Sequence, residues 1–421
     1  MGKKRIIWLS NVDLLDDKQM QSGTWMHSMF KALSNSNEIT ICANITFTKK
    51  KNYYKKNWGG TIHYYVPVQY INKRGLPSKG AKEYIINSII ENAPHILHVW
   101  GTEFFWGTLI DDQRLIQYRT ILEIQGLKLV WGEKFSFFGG LGGKELRQMR
   151  GLGRWILPSH RIESMRKKFV KWGAVEKEII PKFDYINTQS EWVRTVLPFI
   201  SENLNIKRTG ILLRDSFIYS EPWYKVHVAN ESPVIFTTAS TAPWKGFHIT
   251  MRAFALIKKY YPNATLKVAG IDEWTPSFSN CFKGGYNQYL KILQNELYLS
   301  NSVEYLGKLS EKDLLANMYS ADVFVVSSFI ESYCLALAEA LSIGVPTVSS
   351  NTSALPELIN DEETGFLYPI GDYYVCASKI IRLIEDNNLK KSLSLKSSQQ
   401  YRNTHKPIDI VNQQIKTYLE I

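Results

Sequence analysis

Apolar runs of four to eight residues alternate with longer stretches of helical period from one end of the chain to the other, the order that parallel sheets of βα units require. In the first half this pattern predicts strands over Arg5–Ser10, Ile39–Thr46, Ile62–Pro67, Ile96–Trp100, Thr120–Ile124 and Tyr185–Thr188. A second series begins at Pro233–Thr238 and continues through Thr265–Ala269, Val303–Leu306, Val323–Ser327 and Thr347–Ser349. Arg214–Ser232, rich in Ser, Glu, Pro and Asn without period, separates the two. The expected organisation is an amino-terminal α/β domain over 1–215, a linker over 216–232, a second α/β domain over 233–400, and a terminal helix over 401–421 that crosses back to the first domain. Two doubly wound sheets would face each other across a cleft at the carboxyl ends of their strands, where ligands of such sheets bind.

Composition narrows the classes. At 421 residues with 44 % hydrophobic and 21 % charged, the chain is too apolar for disorder and too long for one ordinary domain. Its four cysteines (Cys42, Cys281, Cys334, Cys376) lie far apart, which fits neither a zinc site nor a disulfide framework and suggests a reducing cytosol. The apolar run after Lys3-Lys4-Arg5 is too short for a signal segment, and no stretch has the length of a membrane span. Charge is unevenly placed: residues 1–220 hold 33 Lys and Arg against 19 Asp and Glu, and 221–421 hold 18 against 20. The amino-terminal half is thus expected to face an anionic partner.

The most informative stretch is Ser327-Ser328-Phe329-Ile330-Glu331-Ser332-Tyr333-Cys334-Leu335 followed by Ala336-Leu337-Ala338-Glu339 and, after a helix, Gly344-Val345-Pro346. A strand runs out into Glu331, and a helix beginning near Cys334 carries Glu339. The step of eight positions from Glu331 to Glu339 corresponds to about 12 Å of helical rise, too far to share a proton or a water, which excludes a hydrolytic pair. Such spacing suits the two ends of one elongated ligand, with free helix N–H groups between them. A nucleotide sugar has that layout: hexose hydroxyls at Glu331, diphosphate at the Cys334 and Leu335 amides, ribose diol at Glu339. Lys245, in the turn Pro243-Trp244-Lys245-Gly246 ahead of a helix over Ile249–Tyr260, supplies a cation for the diphosphate as leaving group. There is no Asp-x-Asp sequence, so a metal-independent reaction is expected.

These residues resemble the family-4 retaining glycosyltransferases of the GT-B fold, and bacterial polysaccharide-biosynthesis members in particular. The likeness rests on Glu331 and Glu339 with seven residues between them, then Ala340-Leu341, Gly344, Pro346-Thr347-Val348, Pro356-Glu357 and Thr364-Gly365-Phe366-Leu367, and upstream on Val303–Leu309. It is strong over about 233–370 and weaker over 1–215. It implies two Rossmann-like domains, a nucleoside-diphosphate sugar as donor, with a UDP-sugar favoured and no separate cofactor, and retention of anomeric configuration. It places Lys308 and Leu309 against the nucleotide base and makes Lys245 and Glu331 the catalytic pair. Donor-binding residues are then Gly23, Ser240, Lys245, Gly246, Lys308, Leu309, Glu331, Tyr333, Cys334, Leu335 and Glu339. Two positions depart from the family pattern: Ser240 stands where an arginine is usual, and Gln125 where a histidine is usual, so no general base is assigned.

In the amino-terminal half, Ser22-Gly23-Thr24 at a helix start is placed beside the diphosphate, and Glu103 after His98-Val99-Trp100-Gly101-Thr102 joins Gln125 on the acceptor side. His98 alternates with apolar residues and reads as a core histidine. Neither Gly139–Gly143 nor Gly151–Gly153 completes a dinucleotide fingerprint, against an oxidoreductase. Residues 144–173 hold nine basic and two acidic residues with Trp155, Ile156, Leu157, Phe169 and Trp172 interleaved, a composition that fits either a helix lying on an anionic membrane or aromatics packed inward beneath solvated cations. The leading reading is a cytoplasmic transferase, peripheral at the inner membrane face, acting on a saccharide or lipid-linked saccharide. A sugar-nucleotide epimerase or phosphorylase on the same fold is the first rival. A nucleic-acid-binding protein, suggested by charge alone, is the second, and it leaves the glutamate spacing and Lys245 without purpose.

Overall fold

A computed structural model describes residues 2–15, 24–72, 75–152, 162–223, 232–239 and 241–421, with the side chains of 282 and 283 outside the description. The chain divides into two compact units, one of residues 1–129, 172–214 and 405–421, the other of 130–171 and 215–404.

The first unit is built on an eight-stranded sheet of β1 (Lys4–Leu9), β2 (Ile39–Thr48), β3 (Tyr54–Trp58), β4 (Thr61–Pro67), β5 (Ile96–Trp100), β6 (Arg119–Ile124), β7 (Tyr185–Thr188) and β8 (Ile206–Arg208), in the order β3-β4-β2-β1-β5-β6-β7-β8. All neighbours are parallel except the β3–β4 hairpin. The second unit carries a wholly parallel sheet of β9 (Val234–Thr238), β10 (Thr265–Ala269), β11 (Val303–Gly307), β12 (Val323–Val326), β13 (Thr347–Asn351) and β14 (Phe366–Pro369), ordered β11-β10-β9-β12-β13-β14. Its central strands read as unbroken apolar runs because helices cover both faces: all four residues of β12 are buried, and the helix Phe247–Ile257 buries Phe247, Met251, Phe254 and Ile257 against the same core.

Each predicted strand is present, and three strands escaped the pattern. In β3, Tyr-Lys-Lys-Asn-Trp has four exposed residues, β8 has only three residues, and β14 ends at an exposed proline. Edge strands bury one face at most and so leave little apolar signal.

The units also differ from the expected boundaries. Residues 130–171, expected with the amino-terminal domain, pack with the second unit, and the helix Ile162–Ile179 runs through the division. Of the expected linker, the part up to Trp223 is integrated: the Trp223 indole is 6 % exposed and donates to the Ala321 carbonyl at 3.2 Å, and its backbone N–H donates to Ile343 O. Residues 224–231 lie outside the described residues. The terminal helix Pro407–Glu420 belongs to the first unit, where the Tyr418 hydroxyl lies 2.7 Å from His98 Nδ1 and accepts from Trp8 Nε1. His98 is fully buried on β5, and burial lowers its pKa, so it is a neutral core histidine.

Candidate functional site

In the second sheet the strand order reverses between β9 and β12, and a parallel sheet opens a crevice beyond the carboxyl ends of the strands at such a reversal. Lys245 follows β9 and Glu331 follows β12, so topology brings together two residues 86 positions apart. Lys245 Nζ lies 2.6 Å from Glu331 Oε1. The carboxylate oxygen also accepts from Ser328 Oγ at 2.7 Å, a partner that sequence reading missed although it stands three residues before Glu331.

The two loops are locked to each other through their backbones. Phe329 N–H donates to Trp244 O at 2.7 Å, and Ser327 Oγ donates to Gly246 O at 2.9 Å. Gly246 has a φ of 66°, and a Cβ there would stand 1.8 Å from Ser327 O. Only glycine fits this contact, because the left-handed conformation and the close backbone approach both exclude a side chain. Burial works against the Lys245 ammonium, but the Glu331 carboxylate more than offsets it and the net pKa is raised. Lys245 is therefore a fixed cation across the physiological pH range, its side chain 32 % exposed while that of Glu331 is 5 % exposed.

The helix Leu335–Ile343 starts at Cys334, whose side chain makes no cap bond, and the first N–H groups of a helix have no partner within it. Burial, with the Glu331 charge adding, pushes the Cys334 thiol up to about 12, so it is no thiolate nucleophile. Glu339 is buried on the second turn, 1 % exposed. Tyr333, half-buried, meets Tyr401 hydroxyl to hydroxyl at 2.5 Å, a contact made by the helix Asn387–Thr404 that nothing in the local sequence signalled. Lys308 and Leu309 directly follow β11, the first exposed and the second half-buried. Ser240 and Gly23 lie outside the described residues.

Residues 130–151 add a layer that sequence reading did not foresee. Phe137 and Phe169 pack against Trp244 with ring centroids 5.1 and 5.5 Å away, and Phe135 packs against Phe329 at 5.5 Å. His248, fully buried, lies 3.0 Å from the Gly139 carbonyl through Nε2 and 2.7 Å from the Tyr286 hydroxyl through Nδ1. A carbonyl can only accept, so Nε2 carries the proton and Nδ1 accepts from Tyr286. Phe169 is thus engaged within the protein. So is Trp172, whose indole donates to Thr102 O at 2.5 Å within the first unit. Of the five apolar residues interleaved with the cations of 144–173, two are packed inward, the second of the two expected arrangements, and the other three, Trp155, Ile156 and Leu157, lie outside the described residues.

Burial lowers the pKa of His248 to about 3 and that of His63 on β4 to about 4. Both folded values lie below the ordinary 6.5, so between pH 6.5 and about 4 the unfolded chain binds more protons and stability falls as pH falls. Each histidine contributes a slope of roughly 1.4 kcal/mol per pH unit in that window. Urea midpoints measured from pH 7 to 4.5 should fall steeply in the wild type and less steeply in His63→Gln/His248→Gln. An equal slope in both would remove this assignment.

In the first sheet the order reverses between β1 and β5, and Glu103 follows β5. Its Oε2 is buried and rests over the bare Cα of Gly101, where a Cβ would come within 2.1 Å. Burial lifts the Glu103 pKa to about 7. The turn is held by Lys128 Nζ donating to Glu103 O at 2.6 Å and by Thr102 Oγ1 donating to the buried Glu176 at 2.6 Å. Glu176 also accepts from the backbone N–H groups of Lys128 and Leu129, at 3.0 and 2.7 Å, a role no local motif announced. Gln125, half-buried at the end of β6, directs its amide to Met26 Sδ at 3.4 Å.

Residues 221–400 match the family described as Glycosyl transferases group 1. N-acetyl-alpha-D-glucosaminyl L-malate synthase of Bacillus anthracis is 25 % identical over 250 residues, covering 59 % of this chain and 59 % of that protein. The chain therefore matches about three fifths of the length of that curated relative. Among solved structures, sucrose-phosphate synthase of Thermosynechococcus elongatus superposes with a TM-score of 0.72 at 16 % identity over 99 % of both chains. HepE of Anabaena, solved in complex with UDP-glucose, superposes with a TM-score of 0.65 at 14 % identity, again over 99 % of both. The fold is that of the GT-B glycosyltransferases, and the second unit carries a glycosyl transferases group 1 domain. Among the described residues no helix is long and apolar enough to cross a membrane.

Proposed function

We propose that the protein is a retaining, metal-independent glycosyltransferase that moves a sugar from a nucleoside-diphosphate sugar, a UDP-sugar favoured, to a saccharide or lipid-linked saccharide. The observation that carries this reading is the Lys245–Glu331 contact at the head of the helix Leu335–Ile343. A fixed ammonium and a helix start with free N–H groups together suit a departing diphosphate, which carries its charge on oxygens. Glu331 would accept hydrogen bonds from the hexose, Glu339 from the ribose diol, and Lys308 and Leu309 would flank the base. Gly23 and Ser240 remain donor-side assignments, and Glu103 and Gln125 acceptor-side ones. The transfer is read as front-face, with Cys334, its thiol raised by burial, excluded as a nucleophile: the bond from anomeric carbon to phosphate oxygen breaks, the acceptor oxygen bonds on the same face, and the leaving phosphate oxygen takes the acceptor proton. HepE in complex with UDP-glucose supports the choice of base.

The test is a thermal-shift screen of UDP-, GDP-, ADP- and TDP-sugars. A cognate donor at a hundred times its Kd stabilises by about 2.7 kcal/mol, which reads as a clear rise in Tm. Glu339→Ala should weaken that donor about tenfold or more, the loss of a charge-assisted bond pair. No shift with any nucleotide sugar would reject the reading.

A further inference from the structure

The free edge of the first sheet is strongly cationic. Residues 49–60 read Lys-Lys-Lys-Asn-Tyr-Tyr-Lys-Lys-Asn-Trp-Gly-Gly, five lysines with no acid among them, and all five lysines are exposed. Lys55 is ion-paired with Glu91 at 3.1 Å. The other four, Lys49, Lys50, Lys51 and Lys56, have no acid within the segment to offset them. They run from the loop after β2 along β3, which is the terminal strand of its sheet and spans about 17 Å. Trp58 closes the stripe, 49 % exposed, next to the Gly59-Gly60 turn.

Lysines on an edge strand ordinarily discourage pairing with another chain. That accounts for Lys55 and Lys56 but not for Lys49 to Lys51, which precede the strand, nor for an exposed tryptophan, which makes an edge more adhesive. The surface is also preformed. Trp58 leans on Phe30 with centroids 5.8 Å apart, Tyr54 stacks on Tyr65 at 4.3 Å, and Tyr53 stacks on Tyr70 at 5.1 Å.

We infer that this edge, Lys49 to Trp58, is a docking surface for an anionic lipid bilayer. Lysine ammonium groups meet lipid phosphates, and an indole with an apolar body and one N–H donor suits the headgroup boundary. Single-stranded nucleic acid is the lesser fit, because bases need open aromatic faces to stack on and those of Tyr53 and Tyr54 are already covered. The inference is independent of the proposed enzymatic function, and it places the membrane contact away from residues 144–173.

The experiment is co-sedimentation of the full chain with vesicles of phosphatidylcholine and phosphatidylglycerol at 70:30 and of phosphatidylcholine alone, at 50 mM NaCl. Binding to the anionic vesicles only is expected. Lys49→Ser/Lys50→Ser/Lys51→Ser/Lys56→Ser should lower the partition coefficient about a hundredfold or more, given the worth of each surface cation. Lys167→Ser/Lys168→Ser/Lys171→Ser should leave it within about threefold. A second measurement does not depend on the quadruple variant: the fluorescence difference between wild type and Trp58→Phe should shift to the blue when anionic vesicles are added. Unchanged binding by the β3 variant, loss of binding in the Lys167 variant alone, or tight binding to a single-stranded RNA with none to vesicles would each overturn the inference. Thermal shifts with nucleotide sugars report the enzymatic reading separately.

Discussion

Lys245→Ala is expected to lower kcat/KM for the cognate nucleotide sugar by roughly 10²- to 10³-fold, the usual loss when one fixed group stabilising developing charge is removed. The effect should lie mainly in kcat, because the ammonium matters most as the diphosphate leaves. The same change leaves Glu331 with Ser328 as its remaining named partner at a side chain only 5 % exposed. An unpaired buried carboxylate is costly, but Lys245 is a third exposed and water can enter the space it vacates, so about 1 kcal/mol of stability is expected to go. Lys245→Ala/Glu331→Gln should recover that stability and none of the activity. Steady-state kinetics and urea unfolding on the four proteins of this cycle separate the two roles. Wild-type kcat in Lys245→Ala would remove the lysine from the chemistry.

Gly246→Ala should be more damaging to the fold than any single change at a polar site residue. The methyl group would stand 1.8 Å from the Ser327 carbonyl, with φ in the left-handed region. Strain of this kind costs about 1–3 kcal/mol before the clash is relieved, and relief requires the Lys245 turn and the Ser327–Glu331 loop to part. The bonds Phe329 N–H to Trp244 O and Ser327 Oγ to Gly246 O would then lengthen or break. Expected outcomes are a fall of roughly 3 kcal/mol or more in unfolding free energy, and loss of donor binding in whatever fraction folds. A variant of wild-type stability with full donor binding would show that the two loops are not held as described.

His248, buried as a neutral group, shows how such a site is legible only in part. His248 follows a glycine at a helix start, and nothing in Gly246-Phe247-His248 announces that its ring spans from Tyr286 to Gly139, 109 residues upstream. The glutamate pair, by contrast, was legible because a strand ending in two serines, a helix start and a Gly-Val-Pro exit fix Glu331 in the turn ahead of the helix and Glu339 on its second turn. Lys245 was legible for the same reason, since a turn that leaves a strand and enters a helix can point in few directions.

What the sequence alone determined is local: eleven strands, the two series they form, and the carboxylates and cation that end them. Periodicity reports which face of an element is buried, and burial of each face is a property of the segment itself. What only the tertiary structure decided is partnership. It joined Lys245 to Glu331, set residues 130–151 beside Trp244, and used Glu176 to fasten the turn that carries Glu103. Those contacts link segments tens to more than a hundred residues apart, and their identity depends on how the chain returns upon itself, which no local pattern encodes.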